Sequence, residues 1–212
     1  MTTTDSVQFK KTALEVKQYL MGFFKNPILS IRNVPDWSWQ TVIILDVSMA
    51  TLSAFLHGVV QLKVTAAVLG VVIAPIFSLL ALFVFSGFFY YTFLFFFQRT
   101  IELRGIAIVV TLALIPQYIL NTLTGLLSVF ELVGTGLAGL LLMVGLVENF
   151  KLPRKSIIKL ITGLYIIFAG FWVYSTLAKQ RGTISVKEAV SPQSLDILKK
   201  EFEAIETIES GK

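Results

Sequence analysis

The chain has 212 residues, of which 55% are hydrophobic and 15% charged, whereas a soluble domain sits nearer roughly 45–50% apolar and about 25% charged. With no cysteine and a single histidine, disulfides, thiolate metal sites, cysteine nucleophiles and a histidine-rich metal centre are excluded. The net charge of +5 is spread along the chain rather than gathered on one face, which argues against nucleic-acid binding and for contact with anionic lipid heads.

The N-terminal MTTTDSVQFKK is polar and lacks the apolar core and cleavage site of a signal peptide, so the first span is expected to direct insertion. Residues Val7 to Phe24 read as an amphipathic helix. Phe9, Ala13, Val16, Leu20 and Phe23 recur at helical spacing, with Lys10, Lys11 and Lys17 largely off that stripe. Such a helix suits the membrane interface, or packs on the protein's own loops. Asn26-Pro27 ends it, Pro35 interrupts the next segment, and Trp37 and Trp39 mark an interfacial belt.

Beyond Trp39 the chain runs in long uncharged stretches, and about 18 or more such residues mark a spanning helix, because only a helix satisfies its own backbone in lipid. The first span is placed at 39–60. The apolar region 64–97 is too long for one perpendicular crossing. Pro75 divides it into a kinked or interfacial lead-in, 64–74, and a second span, 75–97, which ends in an aromatic cluster from Phe88 to Phe97. The third span is 105–122, the fourth about 132–147 and the fifth about 157–177. The fold class is therefore all-α integral membrane, with a segment 1–38, a five-helix domain 39–178 and a tail 179–212. Lys151, Arg154 and Lys155 form a basic loop between the last two spans. Lys and Arg concentrate on the side of the N-terminus, which places that end in the cytoplasm and the tail outside, with Lys179 and Arg181 running against the rule. In the tail, Ser194 caps an expected helix whose Leu195, Leu198, Phe202 and Ile205 form a short seam. Two heptads are marginal alone, so the seam wants a partner: another copy, another protein, the membrane surface or the chain's own loops.

Several short motifs carry a family likeness. Asn26-Pro27-Ile28-Leu29-Ser30-Ile31-Arg32 and Pro35-Asp36-Trp37 precede the first span; a short loop ends at Gly105; Leu114-Ile115-Pro116 lies in the third span; and Gly145-Leu146-Val147-Glu148, with Leu152, Arg154 and Lys155, links the last two. In this order the chain resembles the Yip (Ypt-interacting protein) domain family in its bacterial form, from roughly Pro27 to Trp172. The resemblance implies five spans in a bacterial cytoplasmic membrane. Some bacterial relatives look like accessory partners of transport complexes, including ABC-type exporters. The Asp-Leu-Tyr-Gly-Pro signature of eukaryotic relatives is absent, and their Gly-Tyr pair reads Gly105-Ile106 here, so GTPase binding is not carried over.

Polar residues inside spans are the candidates for function. Asp46, Ser53 and His57 share one face of the first span and could line a polar track, although Asp46 and His57 lie about 16 Å apart along the axis. Otherwise Asp46 bonds a hydroxyl, Arg99 or Arg104, and His57 sits at the outer interface. Glu148 and Asn149, at the end of the fourth span beside Lys151, Arg154 and Lys155, are expected to take part in a local ion pair or in partner docking. Pro116 is expected to kink the third span, freeing the Leu112 carbonyl, with Thr111 the nearest hydroxyl. Gly134, Gly136 and Gly139 permit close helix packing. No catalytic, cofactor or metal site is expected: GxxxxGKS/T, HExxH and GxSxG are absent, and Asp46 has no second acid at its depth. The composition and the resemblance lead to a non-enzymatic scaffold or accessory subunit with the bilayer and a membrane protein or another copy as partners. The alternative is a small channel or transporter built on Asp46, Ser53 and His57.

Overall fold

The computed structural model describes residues 3–189. Among them are seven helices and no strand: α1 (Thr3–Lys25), α2 (Pro27–Ser30), α3 (Trp39–Val60), α4 (Val64–Phe97), α5 (Leu103–Asn121), α6 (Val129–Phe150) and α7 (Arg154–Ala189). Five of them, α3 to α7, are long and apolar enough to cross a bilayer, so the chain is an all-α multi-pass membrane protein. The tail seam of Leu195, Leu198, Phe202 and Ile205 lies outside the described residues.

Local chemistry sets the starts. Asn26 caps α2, its Oδ1 accepting from the Leu29 N–H at 3.1 Å, with Pro27 in the first helical position where no donor is needed. Ser38 caps α3, its Oγ accepting from the Thr41 N–H at 3.3 Å. At the other ends Gln98 and Lys151 close α4 and α6 in the left-handed conformation.

The region 64–97 departs from expectation. It is one helix of 34 residues, continuous through Pro75, about 51 Å long against a hydrocarbon core of about 30 Å. Tilt or projection beyond the core accommodates the excess. The helix packs closely on α3 in its first turns. A methyl group on Gly58 would stand 2.4 Å from Ala67 Cα, and one on Gly70 would stand 3.2 Å from Ala54 Cβ. The first turns of α4 therefore lie directly on the last turns of α3 rather than forming a separate lead-in, while Ser78 Oγ donates to the Pro75 carbonyl at 3.0 Å.

In the unit formed by residues 1–165, α5 is the central helix. Ile106 to Ala113 and Ile115 are all buried, and α5 packs on α3, α4 and α6. The aromatic cluster of α4 divides: Phe89 and Phe93 stack inside the core, and Phe88, Tyr91, Phe95 and Phe96 face outward. From α1, Phe23 is buried in this core and Val16 and Leu20 pack at its edge, whereas Leu14, Met21 and Phe24 are exposed. The end of the stripe is thus a protein contact. The second unit begins at Ile166; its part of α7 exposes Ile166, Ile167, Phe171 and Tyr174.

Tyr19 fastens α1 to the segment after it. Its Oη donates to the Ser30 carbonyl at 2.8 Å and its ring meets Trp37 edge-on at 5.2 Å. Burial pushes the phenol up to about 12 from its ordinary 10.0. A raised pKa contributes stability that is whole below pH 10 and is lost as pH rises through 12. The phenolate absorbance titration of the protein, less that of Tyr19→Phe, should place the missing group near 12; a missing group near 10 would refute the burial.

Candidate functional site

A polar seam joins α3 to α5. Because Asp46, Ser53 and His57 succeed one another at helical repeats, all three meet the same neighbour. The neighbour is the end of α5 beyond Pro116. Tyr118 Oη donates to Asp46 Oδ1 at 2.9 Å, and Ser53 Oγ donates to the Tyr118 carbonyl at 2.7 Å. Asn121 Nδ2 reaches Ser53 Oγ at 3.4 Å, a long contact. His57 Nδ1 lies 3.0 Å from the Asn121 carbonyl, and its Nε2 lies 2.8 Å from Gln61 Nε2. A carbonyl only accepts and an amide nitrogen only donates, which assigns the proton to Nδ1 and the lone pair to Nε2. Thr124 Oγ1 closes the end of the seam by donating to the same Asn121 carbonyl at 2.8 Å.

The three candidate residues are thus held along one interface, and Tyr118 links the first two through its hydroxyl and its carbonyl. Asp46 and Ser53 are buried, 0% and 4% exposed, and His57 is partly exposed. Asp46 meets a hydroxyl rather than an arginine, since Arg104 Nη2 lies 2.9 Å from Asp36 Oδ1 and its Nε 3.0 Å from Glu102 Oε1, and Arg99 is exposed. Ser78 of α4 stands beside the Asp46–Tyr118 pair, but Asp46 Oδ2 is buried without a hydrogen-bond partner. Thr111 Oγ1 is likewise buried and unpartnered, so it does not serve the carbonyl that Pro116 frees.

A second constellation fixes the segment before α3. Asn149 Nδ2 donates to the carbonyls of Ile31 and Gly145, each at 2.8 Å, and its Oδ1 accepts from the Val34 N–H at 3.1 Å. Ile31 is buried against Gly145, where an added methyl would stand 3.2 Å from Ile31 Cγ1 and 2.6 Å from Val109 Cγ1. Gly105 serves a similar approach: an added methyl would stand 3.3 Å from the Phe150 ring. Pro116 lies within α5, and Glu148 is exposed beside the clamp rather than part of it. Lys151, Arg154 and Lys155 are all exposed. Sequence reasoning passes over Tyr118, Gln61 and Asn121 and groups Asn149 with Glu148 and the basic loop. An amide in the last turn of an apolar helix is the one available signal. Asn149→Ala strands the Val34 N–H and the Ile31 carbonyl, and should cost about 1–3 kcal/mol and make residues 26–38 more sensitive to protease. Unchanged cleavage there would show that the segment is held by packing alone.

Chemically, the seam offers hydrogen bonds already spent between helices. His57 and Asp46 do not touch, and no group of three or more metal-ligating side chains occurs among the described residues. A scan of protein-family models, a search of curated proteins and a search of solved structures each return no match for the chain.

Proposed function

We propose that this protein is a non-enzymatic membrane scaffold or accessory subunit, seated in a bacterial cytoplasmic membrane with its N-terminus inside, that organises a membrane complex. The observation that carries the reading is the seam itself: Ser53, His57 and one carboxylate oxygen of Asp46 are engaged in tying α3 to α5. The resemblance to bacterial Yip-type proteins, and through it to accessory partners of ABC-type exporters, supports the same reading. So does the basic loop of Lys151, Arg154 and Lys155, which is exposed and available to a partner.

Mass spectrometry of the protein crosslinked in its native membrane and gently purified tests this. A stoichiometric partner joined through Lys151, Lys155, Lys199 or Lys200 is the expected result. Recovery of the protein alone would refute it. One observation favours the transporter reading instead: Asp46 Oδ2 is buried and unpartnered, which a transported cation or proton could use. Loss of flux in liposomes on Asp46→Asn, with assembly intact, would select that reading.

A further inference from the structure

Between α1 and α3 runs a groove of about 860 Å³, open along one side, within the roughly 300–1,000 Å³ of small-molecule sites. Val16, Lys17, Leu20 and Phe24 of α1 line it opposite Thr41 and Ile44 of α3. Because α3 is long and apolar enough to span the bilayer, lipid is the occupant that a groove along it calls for first.

The lining is mixed in a way that an acyl chain alone does not match. Ser38, Gln40 and Thr41 cluster at the start of α3, and Ser48 lies two turns deeper beyond Ile44 and Leu45. Ser38 Oγ and Thr41 Oγ1 lie 3.0 Å apart and bond each other. One hydroxyl proton of that pair and the groups of Gln40 and Ser48 remain to be met, since polar groups facing hydrocarbon are costly when unpaired; the ester carbonyls and phosphate of a glycerolipid supply acceptors for them. Charge fixes the headgroup. From Lys10 to Lys25, α1 carries Lys10, Lys11, Lys17 and Lys25 against Glu15 alone, and Arg32 comes soon after. A zwitterionic headgroup leaves that charge unanswered, whereas an anionic one complements it.

We propose that this groove binds one anionic glycerophospholipid, its phosphate against Lys17 and the polar start of α3 and an acyl chain along Leu20, Phe24 and Ile44. The site is independent of the scaffold reading. It makes α1 a lipid-dependent element: the bound molecule fills the space between α1 and the first span.

The full chain, reconstituted from vesicles of equal parts phosphatidylethanolamine and phosphatidylglycerol and examined by native mass spectrometry, should retain one phosphatidylglycerol per chain. Lys17→Glu should lower that retention roughly tenfold. Ile44→Trp, which fills the groove, should abolish it, and Lys63→Glu, on the α3–α4 turn, should leave it unchanged. Retained lipid in the applied ratio, or unaltered retention by Lys17→Glu, overturns the proposal. So does a crosslink from the groove to residues 190–212 or to a second protein in place of lipid. Should Ile44→Trp fail to fold, Lys17→Glu decides, because Lys17 is exposed.

Discussion

Gly58→Ala should be among the most damaging single-methyl additions in this chain. The new Cβ would stand 2.4 Å from Ala67 Cα, 2.5 Å from its nitrogen and 2.6 Å from its Cβ. Two of these are backbone atoms, so no rotamer change relieves the clash, and α4 has to move off α3. Overpacking costs typically about 1–3 kcal/mol where side chains can yield; with backbone against backbone, about 3 kcal/mol or more is expected. Gly87→Ala supplies the control, since nothing lies within 4 Å of a methyl placed there. Helix propensity alone then favours alanine by up to about 1 kcal/mol. Unfolding of both variants in mixed detergent micelles measures the contrast. Equal midpoints would mean that α3 and α4 approach each other less closely than Gly58 and Ala67 require.

That same contact explains where sequence reading fails along α4. The spans themselves are legible, because the hydrocarbon core demands length and apolarity and little else. The first span, at 39–60, coincides with α3. Pro75 reads as a boundary because a proline ends most helices in water. Inside a bundle neighbouring helices can hold a proline-containing helix together, and here the turns of α4 before Pro75 lie on Gly58 and Ala54 of another span. Periodicity places Asp46, Ser53 and His57 on one face but cannot name the facing helix. The partner, Tyr118, lies 72 residues on in sequence from Asp46. Arg104 is a reasonable candidate for Asp46 by charge, yet Asp36 and Glu102 lie closer to it. Gly105 and Gly145 stand out in the sequence as motif positions, and their physical role is the approach of Phe150 in one case and of Val109 and Ile31 in the other.

The second large effect is expected at the Asp46–Tyr118 tie. Tyr118→Phe removes the hydroxyl that donates to Oδ1 at 2.9 Å, and since Oδ2 already lacks a partner, the buried carboxyl group is left with only the neighbouring Ser78 hydroxyl to turn to. Breaking a buried charged pair costs about 3–5 kcal/mol, whereas neutral ties between membrane helices average only about 0.6 and reach about 1.7 kcal/mol. The measured loss therefore reports which kind of tie this is. Asp46→Leu combined with Tyr118→Phe removes donor and acceptor together and should recover much of that loss, giving a non-additive cycle. Additive losses would show that the two side chains act separately and that their hydrogen bond adds nothing to the joining of α3 to α5. Recovery of stability with partner assembly intact would mark the pair as a structural fastening that apolar side chains can replace. Recovery of stability with transport abolished would instead assign the carboxyl group a job that leucine cannot do, and the scaffold reading would give way to the transporter.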